Sequence, residues 1–484
     1  STPIKSSAAS DVYKRQVITS TAFSNAGGDF NTYLSAYIEY EVGVDNQLYY
    51  AETRESEPTS SSTFNNTWNG LYSTLKSARI IINQCSEGGI DYGNFATKGM
   101  AEVLAAYNCA LIADMFGDAP CSQAALVDEN GSPVYLTPKM DKQEEIYTQA
   151  MQYLDDAIAD LQKEDLIDPG AQDLLYQGDA EKWLKLAYGL KARYTMHLLK
   201  RSANKDADME KVLEYVDNSF ESAEEQAAFD VYDANNINPL YGFFVARAGL
   251  GASESMRSKL AEYNDPRLSR AFITKQGASG KEQAPGTADN AVYAPNGSPE
   301  QGTSKYGTSL FMYSISAPTL LLSYHELKFL EAEALCRLGR DAKSALKDAV
   351  VAGLLNAENS FSVSRKELGK TLINPASSIT DTEAESYFDN TIEAKYTAEP
   401  LKTTMIQKYF ALWGASGEAT ESYNDVRRMK GLGENFIELK NPNSFPLRCP
   451  YGNSDTTTNA EVKAAYGNGQ YVYSENVWWA GGSR

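Results

Sequence analysis

The sequence is poor in the side chains that most often bind metals or transfer protons. Its two histidines are His197 and His325, and its five cysteines show no Cys-x-x-Cys spacing. A zinc site of Cys and His needs several such ligands, and a Ser-His-Asp triad needs a histidine base. We therefore predict no catalytic residue, no bound metal and no cofactor. We interpret the thiols as buried apolar side chains, since an odd number cannot all pair within one chain.

Long apolar runs and positive charge are also scarce. Runs such as Ala349–Leu355 are much too short to cross a bilayer. Lys and Arg number 44 against 64 Asp and Glu, which gives a formal net charge of -20. A surface of this sign repels phosphate backbones, so nucleic acid is not an expected partner. Neutral ligands are compatible with it, whereas an anionic ligand would need a local Lys or Arg pocket.

Helical periodicity, by contrast, is abundant. Four stretches within residues 67–200 place apolar side chains at spacings of three and four, which predicts amphipathic helices. The second stretch stops at Gly117 and Pro120, a pair typical of a helix C-terminus. Asp179 is the predicted N-cap of the fourth. That helix carries His197 on its apolar stripe, where we expect a hydrogen-bonded core imidazole.

Two regions depart from this periodicity. Between about residues 235 and 318, Gly, Pro, Asn and Ser dominate, which predicts long loops. We expect aromatic rings in these loops to find little core and to contact a ligand instead. The opening STPIKSSAASDVYKRQ has neither an apolar period nor the hydrophobic stretch of a signal peptide. We interpret residues 1–16 as a tail of non-native appearance outside the fold.

The stretch LLSYHELKFLEAEALCRLG, Leu321–Gly339, concentrates charged groups on one predicted helix. Glu331 and Glu333 are two residues apart and point about 200° apart, so they cannot share a ligand. His325 and Glu326 lie in the first turn, without the His-Glu-x-x-His spacing of a zinc site. We predict a structural helix that forms a hairpin of tetratricopeptide (TPR) character with the next one. A pair of carboxylates suited to glycoside hydrolysis stays an open alternative, because the sequence does not show how far apart two carboxylates lie in space.

Seven segments follow one another in a recognisable order. They are AEVLAAYNCALIADMFGDAP with Gly117, Asp118 and Pro120; TPKMDKQEEIYTQAMQYLDDAIADL with Pro138, Asp141, Ile146, Tyr147 and Leu154; YQGDAEKWLKLAYGLKARYTMHLL with Gly178, Asp179, Trp183, Leu190 and Arg193; NPLY at Asn238–Tyr241; DPRL at Asp265–Leu268; SYHELKFLEAEAL at Ser323–Leu335; and the closing series IQKYFALWG, YNDVRRM and VWW, the last at Val477–Trp479. From about residue 60 to the C-terminus, the chain thereby resembles the SusD/RagB family of outer-membrane lipoproteins, in its SusD-like group. It departs from the family pattern at two positions. Tyr423 stands where the family often has Trp, and Asn453 stands where the family often has an acidic residue.

The resemblance implies a mainly α fold of SusD-like type. Its TPR-like helical hairpins form a superhelical layer, and an irregular loop-rich region accompanies them. It implies one domain over residues 17–484, with TPR-like helices mainly within 60–215 and 319–430 and a loop-rich ligand region mainly within 235–318. It also implies a cell-surface protein of the outer membrane, attached by an N-terminal lipid anchor whose cysteine this chain lacks.

Members of the family capture nutrient oligomers, usually glycans, as a lid over a TonB-dependent barrel transporter. The resemblance therefore implies an oligosaccharide or polysaccharide ligand, a SusC-like TonB-dependent transporter as partner, and binding without catalysis. Three alternatives stay open: a RagB-like lipoprotein that binds peptides, a glycoside hydrolase, and a TPR scaffold that binds proteins through its concave face.

For the ligand site we select tyrosines and one arginine in two predicted loop regions. A sugar ring stacks its C–H face on an aromatic ring, and its hydroxyls bond to polar side chains. The selected residues are Tyr49, Tyr50 and Arg54 before the first predicted helix, and Tyr293, Tyr306 and Tyr313 in the long loops. No motif aligns them individually with the family. Replacing Tyr293 and Tyr306 by Ala is expected to weaken oligosaccharide binding without changing the melting transition.

Overall fold

The computed structural model describes residues 4–5, 8–58, 63–274, 281–283, 293–467 and 470–484, and helices account for most of them. The α-helices in chain order are α1 (Ala8–Thr19), α2 (Asp29–Tyr37), α3 (Asn46–Thr53), α4 (Asn65–Cys85), α5 (Phe95–Phe116), α6 (Gln143–Asp160), α7 (Ala180–His197), α8 (Lys205–Asp217), α9 (Pro239–Arg247), α10 (Glu254–Glu262), α11 (Tyr324–Arg337), α12 (Lys343–Leu368), α13 (Asp381–Tyr387), α14 (Glu393–Ala398), α15 (Pro400–Ala411), α16 (Ala419–Gly431), α17 (Asn453–Thr458) and α18 (Ala460–Tyr466). The predicted mainly α fold class is confirmed.

The strands are short, and their pairing holds neighbouring loop segments together. They are β1 (Ile4–Lys5), β2 (Glu41–Gly43), β3 (Ala119–Pro120), β4 (Met140–Asp141), β5 (Ile167–Asp168), β6 (Ala227–Phe229), β7 (Leu250–Ala252), β8 (Phe272–Ile273), β9 (Lys281–Glu282), β10 (Thr308–Ser309), β11 (Thr319–Leu322) and β12 (Leu372–Ile373). Strand β2 pairs antiparallel with β7, and Val42 faces Gly251 in the register. Segments Ser20–Ala26 and Phe388–Ile392 are π-helical, and Leu310–Tyr313 is a 3-10 turn.

The chain divides into two compact units, of which the first comprises Ser1–Asn25, Glu57–Phe229 and Pro446–Arg484. Helices α4 to α8 are consecutive, and each packs against the next. These helices cover most of residues 60–215, where TPR-like helices are expected, and that range stays a prediction. The amphipathic helices among them cover their apolar stripes in this packing, since a helix with one apolar face is stable only when that face is covered. The interpretation of residues 17–484 as a single domain stays a prediction.

Helix α5 is the central helix of this unit and is buried along nearly its whole length. Among the described helices it is the one whose length and hydropathy would suit a membrane span, yet its apolar window is entirely buried in the protein. A helix that is apolar all round is typical of a protein core as well as of a membrane. Its sequence shows no long unbroken apolar run, because Glu102, Asn108 and Asp114 interrupt it.

The two ends of helix α7 confirm two sequence assignments. The Asp179 carboxylate caps α7 and accepts hydrogen bonds from the backbone N–H groups of Glu181 and Lys182 at 3.0 and 3.2 Å. His197 is 1% exposed, and its Nδ1 lies 2.7 Å from the Tyr147 hydroxyl. Both the N-cap and the hydrogen-bonded core imidazole are therefore confirmed.

Residues 8–16 belong to helix α1, which packs against α4. Lys14 is 3% exposed, and its Nζ donates to the Pro169 carbonyl at 2.5 Å. A lysine buries its aliphatic stem in this way when its ammonium group finds an acceptor. Leaving residues 8–16 outside the fold was therefore wrong, whereas their non-native appearance stays an interpretation of the sequence.

The second unit comprises Ala26–Ser56 and Asp230–Phe445. In it α11 packs against α12 and α15, and α16 packs against α2. Two helices, α9 and α10, occupy the stretch predicted as long loops. Each has nine residues, too few for a periodic pattern to be visible, and each begins at a capping side chain, Asn238 and Ser253 respectively.

The acidic helix α11 turns its charges toward cations of the same unit. The Glu333 carboxylate is buried and accepts from both terminal nitrogens of Arg428, at 3.0 and 3.2 Å. Burial alone would raise the pKa of Glu333, but Arg428 and Arg337 hold it well below its usual range. His325 Nε2 lies 2.9 Å from a carboxylate oxygen of Glu418. Pairs of this kind agree with the predicted structural role of the helix.

Candidate functional site

Helix α3 exposes the most accessible aromatic side chain among the predicted site residues. Tyr50 is 64% exposed, and the half-buried Tyr49 beside it meets its ring edge-on, with centroids 5.6 Å apart. Both residues lie within a helix rather than in the expected loop. Asn46 and Gln47 on the first turn are exposed as well. The helix thus combines an open aromatic face with amide groups, which suits a ligand that is part apolar and part polar.

The buried side of α3 is fastened by one carboxylate. Glu52 is fully buried, and it accepts from the backbone N–H of Gly43 at 3.0 Å, from that of Gly297 at 2.8 Å and from the Asn441 amide at 2.9 Å. Burial raises the pKa of Glu52 to about 7, because a carboxylate loses its hydration there. Gly43 is required by space, since a Cβ would lie 1.9 Å from the Leu48 carbonyl oxygen. These contacts join α3 to segments about 245 and 390 residues away.

Arg54 ends α3 and points into the protein. It adopts a left-handed conformation with φ of 52°, and its side chain is 6% exposed. Its Nε donates to the Ala51 carbonyl at 2.9 Å, and its guanidinium lies 5.6 Å from the centre of the Tyr37 ring. The predicted site residue Arg54 therefore secures the end of the helix in this structure.

Tyr306 lies on a loop beside strand β2. Its half-buried ring packs against Val42, Val44 and Ala294, and its hydroxyl accepts from the backbone N–H of Glu300 at 2.9 Å. The same loop reaches the residues just before α3 through the N–H of Gly302, which donates to Val44 at 2.8 Å. The structure thus brings one residue of the second predicted region next to the first. We call Asn46, Gln47, Tyr49, Tyr50 and Tyr306 the α3 surface.

Tyr293 and Tyr313 are not part of this surface, because each is only 7% exposed. The Tyr293 ring meets Phe272 edge-on at 5.1 Å, and burial raises its pKa well above the usual value. Tyr313 meets Phe244 edge-on at 5.4 Å. The expectation that rings in this region lack a core is wrong, because Phe272 of β8 packs against Tyr293 and Phe244 of α9 packs against Tyr313. Truncating Tyr293 should therefore lower the melting temperature, contrary to the sequence-based expectation.

Sequence reasoning missed the residues that assemble the α3 surface. Glu52 and Asn441 are nearly 390 residues apart, and Asn443 donates to the Gly297 carbonyl at 3.0 Å. No local pattern signals such contacts. Gln47 was missed too; its Oε1 accepts from the Tyr33 hydroxyl at 2.8 Å, which fixes the exposed amide in place.

A separate cleft of about 470 Å³ lies in the first unit. Most of its lining consists of hydroxyl side chains on the π-helical segment and α4, with Arg15 and Gln16 at one side. The lining is Arg15, Gln16, Thr19, Ser20, Ser24, Gly70, Ser73, Thr74 and Ser77. It contains no aromatic ring, so it offers hydrogen bonds but no stacking platform.

Comparison with known proteins identifies the family. Residues 14–451 match the profile of the SusD-like family described as starch-binding and associating with the outer membrane. A crystal structure of a SusD/RagB family protein from Bacteroides thetaiotaomicron is 68% identical, with a TM-score of 0.95; the match covers 99% of this chain and 100% of that one. A comparison with curated protein sequences gave no significant match.

More distant structures share the fold. A chitin-binding SusD homologue from Flavobacterium johnsoniae is 18% identical with a TM-score of 0.69, over 97% of this chain and 98% of its own. A SusD homologue from Bacteroides fragilis is 20% identical with a TM-score of 0.72, over 97% and 99%. The ordered segments, the helical hairpins and the profile match over most of the chain agree: the protein belongs to the SusD/RagB family, in its SusD-like group.

Proposed function

We propose that this protein captures oligosaccharides at the α3 surface and delivers them to a TonB-dependent transporter of the outer membrane. The exposure of the Tyr50 ring carries the proposal. A pyranose ring has a face of C–H bonds that covers an aromatic ring of this size, and its hydroxyls need donors and acceptors at the edge of that contact. The amides of Asn46 and Gln47 lie one turn away on the same helix.

The ligand class follows from charge and from relatives. A chain with a net charge of -20 favours neutral over anionic ligands, and starch and chitin oligomers are neutral. The family description names starch, and the Flavobacterium johnsoniae homologue binds chitin. Neutral glucose or N-acetylglucosamine oligomers are therefore the first ligands to test.

Delivery requires a location at the cell surface and a transporter partner. We propose a lipid-anchored protein of the outer membrane that sits over a SusC-like barrel, as the family resemblance implies. Its capture step needs no chemistry on the ligand, so incubation with polysaccharide should release no reducing sugar. Purification from native membranes should recover one large outer-membrane protein with this chain, and its consistent absence would argue against delivery.

The substitution Tyr50→Ala tests the site. Loss of one stacking ring is expected to weaken oligosaccharide affinity about tenfold, from roughly 1.4 kcal/mol of lost contact. The melting temperature should stay within about 1 °C of the unchanged protein, because the ring is mostly in solvent. Isothermal titration with maltooligosaccharides and chitooligosaccharides measures the first effect, and thermal unfolding the second.

Tyr92→Ala is the matched control, since Tyr92 is 47% exposed and lies in the other unit. It should leave affinity unchanged. Equal affinity of Tyr50→Ala and the unchanged protein would remove the α3 surface as the site. Binding of a peptide library with no response to either glycan series would favour the peptide-binding alternative.

A further inference from the structure

Two of the five cysteines lie in contact inside the first unit. Cys109 is in the second half of α5, and Cys121 directly follows β3. Their sulfur atoms are 3.3 Å apart, and both side chains are completely buried. Twelve residues separate them in sequence, so neither is signalled by a Cys-x-x-Cys spacing. The contact brings together two thiols at the turn that carries the Gly117, Asp118 and Pro120 motif.

The polypeptide on both sides of the pair is held in place. The Asp141 carboxylate accepts from the backbone N–H groups of Cys121 and Ser122 at 2.9 and 2.7 Å. The Arg79 guanidinium donates to the Cys121 carbonyl at 2.8 Å. Cys109 is fixed by the regular backbone of α5. The two sulfurs therefore meet because their backbones are positioned, not because of a mobile side chain.

A buried arginine acts on the pair in the folded chain. Arg79 is 5% exposed, and among the described residues its Nη2 is buried without a hydrogen-bond partner. The Cys121 thiol and the Arg79 charge lower the pKa of Cys109, in opposition to burial.

We propose that Cys109 and Cys121 form a structural disulfide in this protein. The sulfurs need to approach by about 1.3 Å to reach the bond length of about 2.05 Å. Family members associate with the outer membrane, and the cell envelope is a compartment in which disulfides form and persist. The bond would tie the middle of α5 to the chain beyond its terminating turn.

The oxidation needs an acceptor, which we assign to a thiol–disulfide oxidoreductase of the cell envelope. The Cys109 thiolate attacks the enzyme disulfide and forms a mixed disulfide, and one enzyme sulfur leaves as a thiolate. The Cys121 thiolate then attacks the Cys109 sulfur of the mixed disulfide, so that the Cys109–Cys121 bond forms and the second enzyme sulfur leaves as a thiolate. Two electrons and the two thiol protons end on the enzyme, which becomes a dithiol. Because both cysteines are buried in the folded chain, this exchange takes place before the turn closes over them.

Counting thiols in the full chain tests the proposal. The protein is produced with export to the periplasm of a bacterial host that has its own thiol–disulfide oxidoreductase. It is then purified without reductant, denatured and treated with iodoacetamide. Three of the five cysteines should be alkylated, and all five after prior reduction. No Lys or Arg lies between Gly99 and Pro138, so trypsin leaves both cysteines in one peptide. A second cleavage of this peptide, on the N-terminal side of Asp114 and Asp118, places Cys109 and Cys121 in different fragments. These two fragments should stay linked until the disulfide is reduced.

Single substitutions identify the pair. Cys85→Ser, at another buried cysteine, should leave two alkylated cysteines, whereas Cys109→Ser should leave four. Protein refolded with reductant should melt several degrees lower than the oxidised form, since a cross-link of this loop length restricts the unfolded chain. Should Cys109→Ser fail to fold, the count on the unchanged protein still decides. Five alkylated cysteines after export, or a link between other cysteines, would overturn the proposal.

Discussion

Two glutamates of α11 that lie only two residues apart have opposite surroundings. Glu333 is fully buried and bonds to Arg428 and Arg337. Glu331 pairs with Lys328 at 2.5 Å, with about a fifth of its side chain exposed. An ion pair near solvent contributes little, whereas removing one partner of a buried pair leaves the other charge uncompensated. The two positions are therefore a matched pair for measuring what the acidic helix contributes.

Glu333→Gln is expected to lower the free energy of unfolding by about 3 kcal/mol, since Arg428 then keeps, among the described residues, Asp425 at 2.9 Å as its one carboxylate partner. Glu331→Gln should cost less than about 1 kcal/mol. Chemical denaturation of both variants, followed by circular dichroism, gives the comparison. Similar losses of unfolding free energy in the two variants would show that the buried pair of Glu333 and Arg428 stabilises the protein no more than the pair of Glu331 and Lys328.

At the scale of single residues, the sequence predicted the role of a residue within its own helix but not its contacts with distant residues. The cap at Asp179 and the buried imidazole of His197 follow from local pattern. The partner of Glu333 lies 95 residues away, and that of Glu52 still farther, so neither could be derived from spacing. The ligand role of the selected tyrosines stays a prediction, while the structure distinguishes the exposed Tyr50 from the buried Tyr293.

At the scale of elements, the NPLY segment shows how one side chain starts a short helix. The Asn238 side-chain oxygen Oδ1 accepts from the backbone N–H of Leu240 at 2.9 Å, while the side-chain Nδ2 donates to the backbone carbonyls of Ala317 and Ala415 at 2.7 and 3.0 Å. Asn238 is fully buried. Its loss would leave several backbone groups without partners inside the protein, beyond the loss of an ordinary cap.

Asn238→Ala is therefore expected to destabilise the protein by about 3 kcal/mol, the sum of a cap and two buried acceptors. Asn204→Ala provides the control, because Asn204 caps α8 through the N–H of Ala207 at 3.0 Å but is exposed. It should cost about 1 kcal/mol. Denaturant midpoints measure both. If Asn238→Ala proved no worse than Asn204→Ala, the buried bonds to Ala317 and Ala415 would be energetically unimportant.

Long helices were predictable and short ones were not. The stripes predicted for α4 to α7 extend over several turns, and the predicted end of α5 at Gly117 and N-cap of α7 at Asp179 agree with the structure. Helices α3, α9 and α10 have eight or nine residues, and Asn, Gly and Pro in or near them resemble loop composition. Their stability comes from capping and from packing on distant segments, neither of which leaves a periodic signal. Tyr49 and Tyr50 were assigned to a loop for this reason.

At the scale of the whole molecule, family membership was readable because the order of segments is specific even where each motif is loose. The assembly of the α3 surface was not, since it joins residues near positions 50, 300 and 440. Folding alone brings these segments together. A candidate site built this way is visible only in three dimensions, although its stacking chemistry can be anticipated from the abundance of tyrosine.

Among the described residues, three glutamates have a pKa that is raised well above the usual value in the folded state. Burial raises the pKa of Glu41 to about 8, that of Glu52 to about 7 and that of Glu102 to about 9. Each group starts from an ordinary value of 4.5 in the unfolded chain, so between pH 4.5 and its raised pKa the folded protein binds the extra proton. Stability then falls as the pH rises through that window. The pKa of Glu333 is lowered, so its effect on the pH dependence of stability lies below pH 4.5 and outside this window.

Glu41→Gln isolates one of these groups. Among the described residues, Glu41 Oε2 is buried without a hydrogen-bond partner, so little is lost when an uncharged amide replaces the acid. The free energy of unfolding of the unchanged protein should decline between pH 5 and 8 by at most about 1.4 kcal/mol per pH unit for each such group. The decline should be shallower in Glu41→Gln, and that variant should be the more stable protein at pH 8. Guanidinium titrations at half-unit steps give both profiles, with the exposed Glu87→Gln as a control that follows the unchanged protein. Parallel profiles for Glu41→Gln and the unchanged protein would mean that Glu41 ionises as readily in the folded chain as in the unfolded one.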